Sequence, residues 1–222
     1  TATTVETLAE ERSEFQRFIK VFFSRTVVII SLLIILALIV TAIFAPLIAP
    51  HDPNMQQLNN ILQPPSSEYW LGTDELGRDV LSRIIYGSRA SLIVGLASSF
   101  IAGTIGVVIG LIAGYFGKFI DGLVMRIIDA MIAIPGLILA IYIGSAFGGG
   151  LKVVIIALGV GLIPLYARLM RAQVLSVREL DYVAAAELSG ASTWRIMFVH
   201  ILPNSIQPII VLATINLGVA IL

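Results

Sequence analysis

Long apolar stretches dominate this chain, and short polar segments separate them. Five stretches carry no Asp, Glu, Lys or Arg, at 26–50, 90–117, 130–151, 153–167 and 201–222. A transmembrane helix needs about 20 mostly apolar residues to cross a hydrocarbon core about 30 Å thick. The shortest stretch reaches that length when Lys152 and Arg168 at its ends extend their charged groups to the membrane surface. The pattern therefore predicts five membrane-spanning helices.

Composition supports the same class of protein. Hydrophobic residues make up 58% of the chain, the mean hydropathy is +0.97, and 13% of residues are charged, whereas about a quarter are charged in a soluble domain. The 14 basic and 14 acidic residues cancel, so no net field favours nucleic acid as a partner. Cysteine is absent and there are two histidines, which excludes disulfides and gives a poor metal site. We expect an all-α, polytopic membrane protein whose solvent is the lipid bilayer.

The distribution of basic residues predicts the orientation. Cytoplasmic loops of membrane proteins are enriched in Lys and Arg. With the N-terminus inside, the 14 basic residues divide into ten inside and four outside, the latter being Arg78, Arg83, Arg89 and Lys152. This threading predicts a cytoplasmic tail at 1–25, a first transmembrane helix at 26–50, and an extracytoplasmic segment at 51–89 with a helix near 78–88. The remainder, 90–222, forms a core with a cytoplasmic loop near 178–200.

That cytoplasmic loop is a polar, alanine-rich island between apolar stretches. Asp181 is a good N-cap for a short helix, and Gly190 suits the left-handed position that ends it. Ala184, Ala185 and Ala186 give the helix a surface poor in side chains, which a partner can approach closely. Ser192 can cap a second helix, on which Trp194 and Phe198 share a face. The candidate docking residues are Asp181, Tyr182, Ala184, Ala185, Ala186, Glu187, Gly190, Ala191, Trp194 and Pro203. The alternative is an amphipathic stretch that lies on the membrane surface.

The island resembles the cytoplasmic loop of bacterial ABC-importer permeases. In that family the pattern is roughly Glu-Ala-Ala, three residues, Gly, nine residues and Ile-x-Leu-Pro. Here Ala184 replaces the Glu, so the capping box with Asp181 is impossible, and His200 stands where the pattern has Ile. Glu187, one turn later on nearly the same face, is a candidate to replace the usual salt bridge to the partner.

A second resemblance narrows the family. Residues 71–89, Leu-Gly-Thr-Asp-Glu-Leu-Gly-Arg-Asp-Val-Leu-Ser-Arg-Ile-Ile-Tyr-Gly-Ser-Arg, follow Ala-Pro-His-Asp-Pro at 49–53 and resemble the permeases of dipeptide, oligopeptide and nickel importers. The charges in this segment have spacings of three and four, which permit helical ion pairs, and its glycines permit tight turns. A structural cap and a partner contact remain alternatives for it. The residues concerned are Gly72, Thr73, Asp74, Gly77, Arg78 and Asp79.

These resemblances imply a type I ABC-importer permease fold, with five of an expected six spans present. They imply one half of the pathway of an ATP-driven, binding-protein-dependent importer for peptides or related small solutes, in a bacterial inner membrane. The implied partners are a homologous second permease, two cytoplasmic ABC ATPase domains and an extracytoplasmic substrate-binding protein. No Gly-x-x-x-x-Gly-Lys-Ser/Thr occurs, so ATP and Mg are expected on the ATPase subunits and no cofactor or enzymatic activity on this chain.

Within the membrane, small residues recur every four positions. Ala102, Gly106, Gly110 and Gly114 form one stripe, and Ser91, Gly95, Ser99 and Gly103 form another. Such stripes predict close helix packing, within the chain or between subunits. Pro135 and Pro164 are expected to interrupt the third and fourth spans as gate bends. Arg126 and Asp129 have the i,i+3 spacing for an ion pair near the cytoplasmic face. A gate role and an interfacial position at the helix end remain alternatives for these two residues.

Two other classes of function remain. An intramembrane enzyme needs a nucleophile elbow, a His-Glu-x-x-His site or paired intramembrane carboxylates, and the sequence has none of them. An ATP-independent channel or carrier would be expected to show internal repeats and mid-span charges. That class leaves the cytoplasmic island without a role.

Overall fold

The computed structural model describes residues 23–221. Regular structure among them is helical, with one isolated antiparallel bridge between Thr73 and Asp79. The α-helices are α1 Thr26–Ile43, α2 Ala45–Ile48, α3 Val80–Phe116, α4 Lys118–Ala133, α5 Gly136–Phe147, α6 Leu151–Arg178, α7 Asp181–Leu188, α8 Thr193–Arg195, α9 Leu202–Ser205 and α10 Gln207–Ile221. A 3-10 helix covers Leu58–Asn60 and a π-helix covers Ile196–Ile201. The chain divides into two units at Arg89, and α3 runs through both.

In the described part of the first unit, α1 is an 18-residue helix of mainly Val, Ile and Leu. It is ~27 Å long at 1.5 Å per residue, close to the thickness of the hydrocarbon core. Its side chains are exposed along almost the whole helix, as expected for a helix in contact with lipid. The first span was expected to continue to Pro50, but α1 ends at Ile43 and the four-residue α2 follows. The cytoplasmic tail predicted at 1–25 lies almost wholly outside the described residues.

Helix α3 replaces the two separate helices that were expected on either side of residue 89. A short helix at 78–88 and a separate span from residue 90 were predicted, whereas one 37-residue helix covers Val80–Phe116. At ~55 Å it is longer than a bilayer core requires. The polar residues at its start and the apolar residues after Arg89 are continuous in one element, because neither proline nor a helix-ending glycine separates them.

The second unit is built around α6. Helices α4, α5, α9 and α10 contact it, and Tyr166, Ala167, Met170 and Val174 of α6 are completely buried. The small stripe of α3 lies against the same helix. A Cβ added at Gly106 would lie 2.5 Å from the Tyr166 Cβ, and one at Gly114 would lie 2.8 Å from the Val174 Cβ. The stripe therefore packs within the chain. The second stripe contributes Ser99, whose hydroxyl lies 2.7 Å from the Tyr166 hydroxyl.

The two prolines behave differently. Pro135 lies at the break between α4 and α5, which are bent by 87° relative to each other, so the predicted interruption of the third span is confirmed. Pro164 was expected to interrupt the fourth span, but it is buried inside the continuous α6. Close packing around Pro164 holds that helix together despite the missing backbone donor.

The end of the described chain is also bent. Residues 193–205 and the following α10 make an angle of 55°. Within residues 23–221, three helices are long and apolar enough to cross a membrane, and up to five spans result if each bent pair is counted as one. The all-α, polytopic class is confirmed, and the number of spans predicted from the sequence equals the upper of these counts.

Candidate functional site

The short helix α7 stands at the centre of the alanine-rich island. It starts at Asp181, one residue earlier than expected, and Leu180 is at the N-cap position. The prediction that Asp181 caps the helix is wrong, because no side chain bonds to the cap amides. The carboxylate of Asp181 instead lies in the first helical turn, where the helix dipole favours a negative charge.

The C-terminus of α7 is closed by a complete Schellman motif. Gly190 has φ of +77°, its N–H donates to the carbonyl of Glu187 at 3.0 Å, and the N–H of Ala191 donates to that of Ala186 at 3.1 Å. Glycine adopts this left-handed conformation without a Cβ clash. The expected role of Gly190 is therefore confirmed, and the turn fixes where the chain leaves the helix.

One face of α7 is anchored and the other is free. Val183 is 1% exposed and belongs to the same core as Ile196, Met197 and Ile201, while Ala186 is partly buried against it. The outward face carries Ala184, Ala185, Glu187 and Leu188, all exposed. This outward face, together with Gly190, is here named the knob. The buried face packs the knob against the π-helix that follows it in the sequence.

Leu188 is the knob residue that sequence reasoning missed. Its side chain is 90% exposed, a high value for leucine at the end of an ordered helix. The sequence signal for its exposure was its position in the last helical turn, directly before the helix-ending Ser189-Gly190 pair. Leu188 thus extends the exposed surface of the knob to the C-terminal end of the helix.

The second helix of the island is less regular than predicted. Ser192 occupies the N-cap position of α8, but its side chain makes no cap bond, and a π-helix replaces the α-helix after Arg195. Pro203, in the first turn of α9, has no N–H for the carbonyl of Val199. The wider π turn immediately before Pro203 accommodates the missing Pro203 N–H. In this turn the N–H of Leu202 bonds five residues back, to the carbonyl of Met197.

Two contacts stabilise this part of the island. The rings of Trp194 and Phe198 stack with their centroids 5.8 Å apart and their planes 15° apart, as their spacing predicted. The Tyr182 hydroxyl donates to the carbonyl of His200 at 3.4 Å and links α7 to the π-helix. Both aromatic residues of the stack remain exposed on the surface of the chain.

Charged residues join α6 to α4, in pairs that differ from the predicted one. Asp129 pairs with Arg168 rather than with Arg126, and Asp121 accepts two hydrogen bonds from Arg171. The predicted Arg126–Asp129 pair is wrong because both carboxylates, two turns apart on α4, face α6. Arg126 has no ion pair within residues 23–221.

A further arginine of α6 completes the connection to neighbouring helices. Arg178 donates to the carbonyl of Tyr115 at 2.8 Å, at the C-terminal end of α3. A cation stabilises this end because the last carbonyls of a helix carry partial negative charge. The end of α6 that leads into the knob is therefore connected to both α3 and α4.

The charged residues at 74–79 form a turn before α3, although their spacing also permits helical ion pairs. Asp74 accepts hydrogen bonds from the backbone of Leu76 and Arg78 and from the side chains of Arg78 and Arg83. Burial raises the pKa of Asp74, but these four donors together hold it well below its usual value. The predicted turn glycines are confirmed, with φ of +75° at Gly72 and +69° at Gly77.

Asp79 is the buried end of the same turn and lies directly before α3. One of its oxygens accepts from the Ser82 N–H at 2.9 Å and from the Ser82 hydroxyl at 2.6 Å, and lies 3.6 Å from His51 Nδ1. Burial raises the pKa of Asp79, whereas Ser82 and the charge of His51 lower it by more, so the net shift is downward. The geometry is that of a helix cap. Thr73 adds a bond from its hydroxyl to the carbonyl of Asn60.

The described residues contain no group of three His, Cys, Asp or Glu side chains placed to hold a metal ion. Carboxylates at the ends of α3 and α4 bind arginine or cap a helix instead.

Comparisons with known proteins identify the family of this chain. Residues 106–222 match the family of binding-protein-dependent transport system inner membrane components, and residues 13–65 match the N-terminal TM domain of oligopeptide transport permease C. A dipeptide transport system permease protein of Alkalihalophilus pseudofirmus is 46% identical over 194 residues, which cover 87% of this chain and 64% of the relative.

Other relatives carry related names. A probable D,D-dipeptide transport system permease protein of Escherichia coli is 44% identical, over 86% of this chain and 64% of the relative. A glutathione transport system permease protein of Pectobacterium atrosepticum is 37% identical, over 95% and 70%. The chain thus spans about two thirds of the length of these curated relatives. It belongs to the family of inner membrane components of binding-protein-dependent transport systems.

Proposed function

We propose that this chain is a permease subunit of an ATP-driven, binding-protein-dependent importer, and that it forms half of the translocation pathway. Its partners are a homologous second permease, two cytoplasmic ABC ATPase domains that hold ATP and Mg, and an extracytoplasmic substrate-binding protein. The chain itself carries no catalytic residue in this proposal. Its orientation, with the N-terminus and the knob in the cytoplasm, rests on the ten-to-four division of basic residues.

The observation that carries the proposal is the knob. Its outward face has two exposed alanines and ends at a glycine, so a partner's groove can approach the backbone with little loss of side-chain entropy. Its inward face is fixed by the buried Val183. A surface that is easily docked and rigidly attached suits a mechanical contact between an ATPase and a transmembrane helix.

The contacts that α6 makes with neighbouring helices explain how docking at the knob can act on the pathway. Helix α7 follows α6 after two residues and contacts both α6 and the π-helix. Movement of the knob is therefore passed backward to α6 and forward to α10. We propose that ATPase closure moves the knob and switches the cavity between inward-facing and outward-facing states. Pro135, Pro164, Arg126 and Asp129 remain candidate gate residues, with Arg168 now the partner of Asp129.

Peptides or related small solutes are the proposed cargo. The relatives named above carry dipeptide and glutathione transport in their names, and the pathway-forming helices of this chain are mostly apolar. The turn containing Gly72, Thr73, Asp74, Gly77, Arg78 and Asp79 is proposed to face the outside. Its rigid hydrogen bonding suits it to a packing role or to a contact with the binding protein.

A pull-down from detergent tests the proposal. The full-length protein is purified with Ala185→Arg, and Ala172→Arg serves as the matched control because Ala172 is an exposed alanine on α6. The parent and the control should retain a second permease and P-loop ATPases, and Ala185→Arg should lose the ATPases because a long cation occupies the close contact. Absence of any ATPase from the parent, or retention by Ala185→Arg, would contradict the proposal. Vanadate-sensitive uptake by the parent in vesicles separates it from a channel.

A further inference from the structure

A cluster of large apolar side chains lies exposed between α2 and α3, within the first unit. We name it the outer apolar patch, and it consists of Met55, Leu58, Ile61, Leu62, Trp70, Leu71 and Leu76. Leu58 is 68% exposed and Trp70 is 69% exposed. Soluble surfaces rarely keep so many large apolar groups together without a partner that covers them.

The backbone of this segment holds the patch in a fixed arrangement. The Gln57 N–H donates to the carbonyl of Leu76 at 3.2 Å, and the Thr73 N–H donates to that of Gln63 at 3.1 Å. The two limbs that carry the patch therefore lie side by side. Their hydrogen bonds show that the apolar side chains belong to an ordered surface, which is exposed by its fold and not by a lack of structure.

The charged residues of this segment exclude electrostatic attraction between the patch and an anionic surface. Both nearby arginines, Arg78 and Arg83, are paired with Asp74. The same segment carries three exposed acidic residues, Asp52, Glu68 and Glu75. Attraction to an anionic surface is therefore absent, and burial of apolar area is the force that remains for covering the patch.

Along the sequence, the patch follows closely after the apolar surface of the first membrane helix. After α1, the exposed side chains of Phe44, Leu47 and Ile48 extend the apolar surface through α2, and Leu47 is 81% exposed. The patch begins at Met55, soon after this surface ends. Trp70 adds an aromatic side chain with one polar N–H, the type that is enriched where a membrane meets water.

We infer that the outer apolar patch lies in the outer headgroup region of the bilayer, with Leu58, Trp70 and Leu71 in contact with lipid acyl chains. This inference rests on the proposed function only for placing the segment outside the cell. A binding protein that docks and leaves in each cycle would return the patch to water, whereas transient interfaces are about as polar as ordinary surface. The bilayer is a permanent occupant, and it needs no complementary charge.

Spin labels at single cysteines test the placement, which is practical because these 222 residues contain no cysteine. Leu58→Cys, Trp70→Cys and Leu71→Cys report on the patch, and Asp52→Cys, Glu68→Cys and Glu75→Cys are matched exposed controls in the same segment. Each variant is labelled in the full transporter, with other cysteines replaced by serine, in neutral phosphatidylcholine nanodiscs without binding protein. Collisions of the label with oxygen, which enters lipid, are compared with collisions with a water-soluble nickel chelate.

The patch positions should collide more with oxygen than with the chelate, and the control positions should show the reverse. Equal water exposure at patch and control positions would overturn the inference and favour intermittent docking of a protein. Protection of the patch positions from both oxygen and the nickel chelate would also overturn the inference and favour a second permease as the occupant. Either result with unchanged ATP-driven uptake would refute this placement alone, whereas loss of ATPase association in the pull-down would bear only on the proposed function.

Discussion

Replacing Gly106 by alanine tests whether close contact between α3 and α6 holds the second unit together. The new Cβ would lie 2.5 Å from the Tyr166 Cβ, 2.9 Å from the carbonyl oxygen of Ile163 and 3.0 Å from the amide nitrogen of Ala167. Two of these neighbours are backbone atoms, which cannot move aside without moving α6. Overpacking of this kind costs about 1–3 kcal/mol. Part of the cost is offset because alanine favours a helix over glycine by about 1 kcal/mol.

Gly87→Ala is the matched control, since Gly87 lies on the same helix and a Cβ added there would meet nothing within 4 Å. The control should be neutral or stabilising by up to about 1 kcal/mol. The two variants should therefore differ by about 1–3 kcal/mol in the free energy of unfolding, or about tenfold in the equilibrium constant for each 1.4 kcal/mol. Reversible unfolding in mixed micelles measures this difference. Equal stability of Gly106→Ala and Gly87→Ala would refute the close-packing argument.

Asp121→Asn should lower the free energy of unfolding by about 1–3 kcal/mol because its partner guanidinium is partly buried. Asp129→Asn should change it by about 0–1 kcal/mol because that ion pair is exposed. The same unfolding assay measures both variants. Equal effects would contradict the conclusion that the more buried Asp121–Arg171 pair contributes more to stability. The depressed pKa of Asp79 means that its carboxylate stabilises the fold above the unfolded-state pKa of about 3.9. This contribution is lost as the pH falls through the lower folded-state pKa, so thermal melts in acid should show a decline that Asp79→Asn removes. Leu188→Asp should leave the melting temperature unchanged, because the side chain is 90% exposed, and should reduce ATPase recovery in the pull-down; unchanged recovery would exclude Leu188 from the contact.

Much of the architecture was predictable because lipid restricts the choices. Apolar stretches of sufficient length must become helices in a bilayer, since each backbone group needs an internal partner. The break at Pro135 and the left-handed turn at Gly190 were predictable for the same local reasons. Both depend on the properties of a single residue, a missing donor in one case and a missing Cβ in the other.

The errors arose where tertiary contacts decide the outcome. The pairing of Asp129 with Arg168 rather than Arg126 depends on which face of α4 meets α6, and spacing along one helix does not contain that information. Pro164 lies in a continuous helix because the packing around it compensates for its missing donor. The charges of the 71–79 turn likewise satisfy the helical spacing rule for ion pairs, yet Gly72 and Gly77 impose turns that exclude a helix.

The departure of this chain from its family pattern at Ala184 has a structural explanation within the proposed function. Transmission of movement requires that the knob be stiffly joined to the membrane helices, and the buried side chains of Val183, Met197 and Ile201 provide that connection. The outward face places a weaker requirement on residue type. A groove can accept alanine or glutamate at an exposed position if the backbone approaches at the same distance. Exposed ion pairs contribute about 0–1 kcal/mol, less than the burial of one leucine, about 1.5–3 kcal/mol. Leu188 can therefore supply by apolar contact what Ala184 no longer supplies by charge, while the anchor beneath the knob stays unchanged.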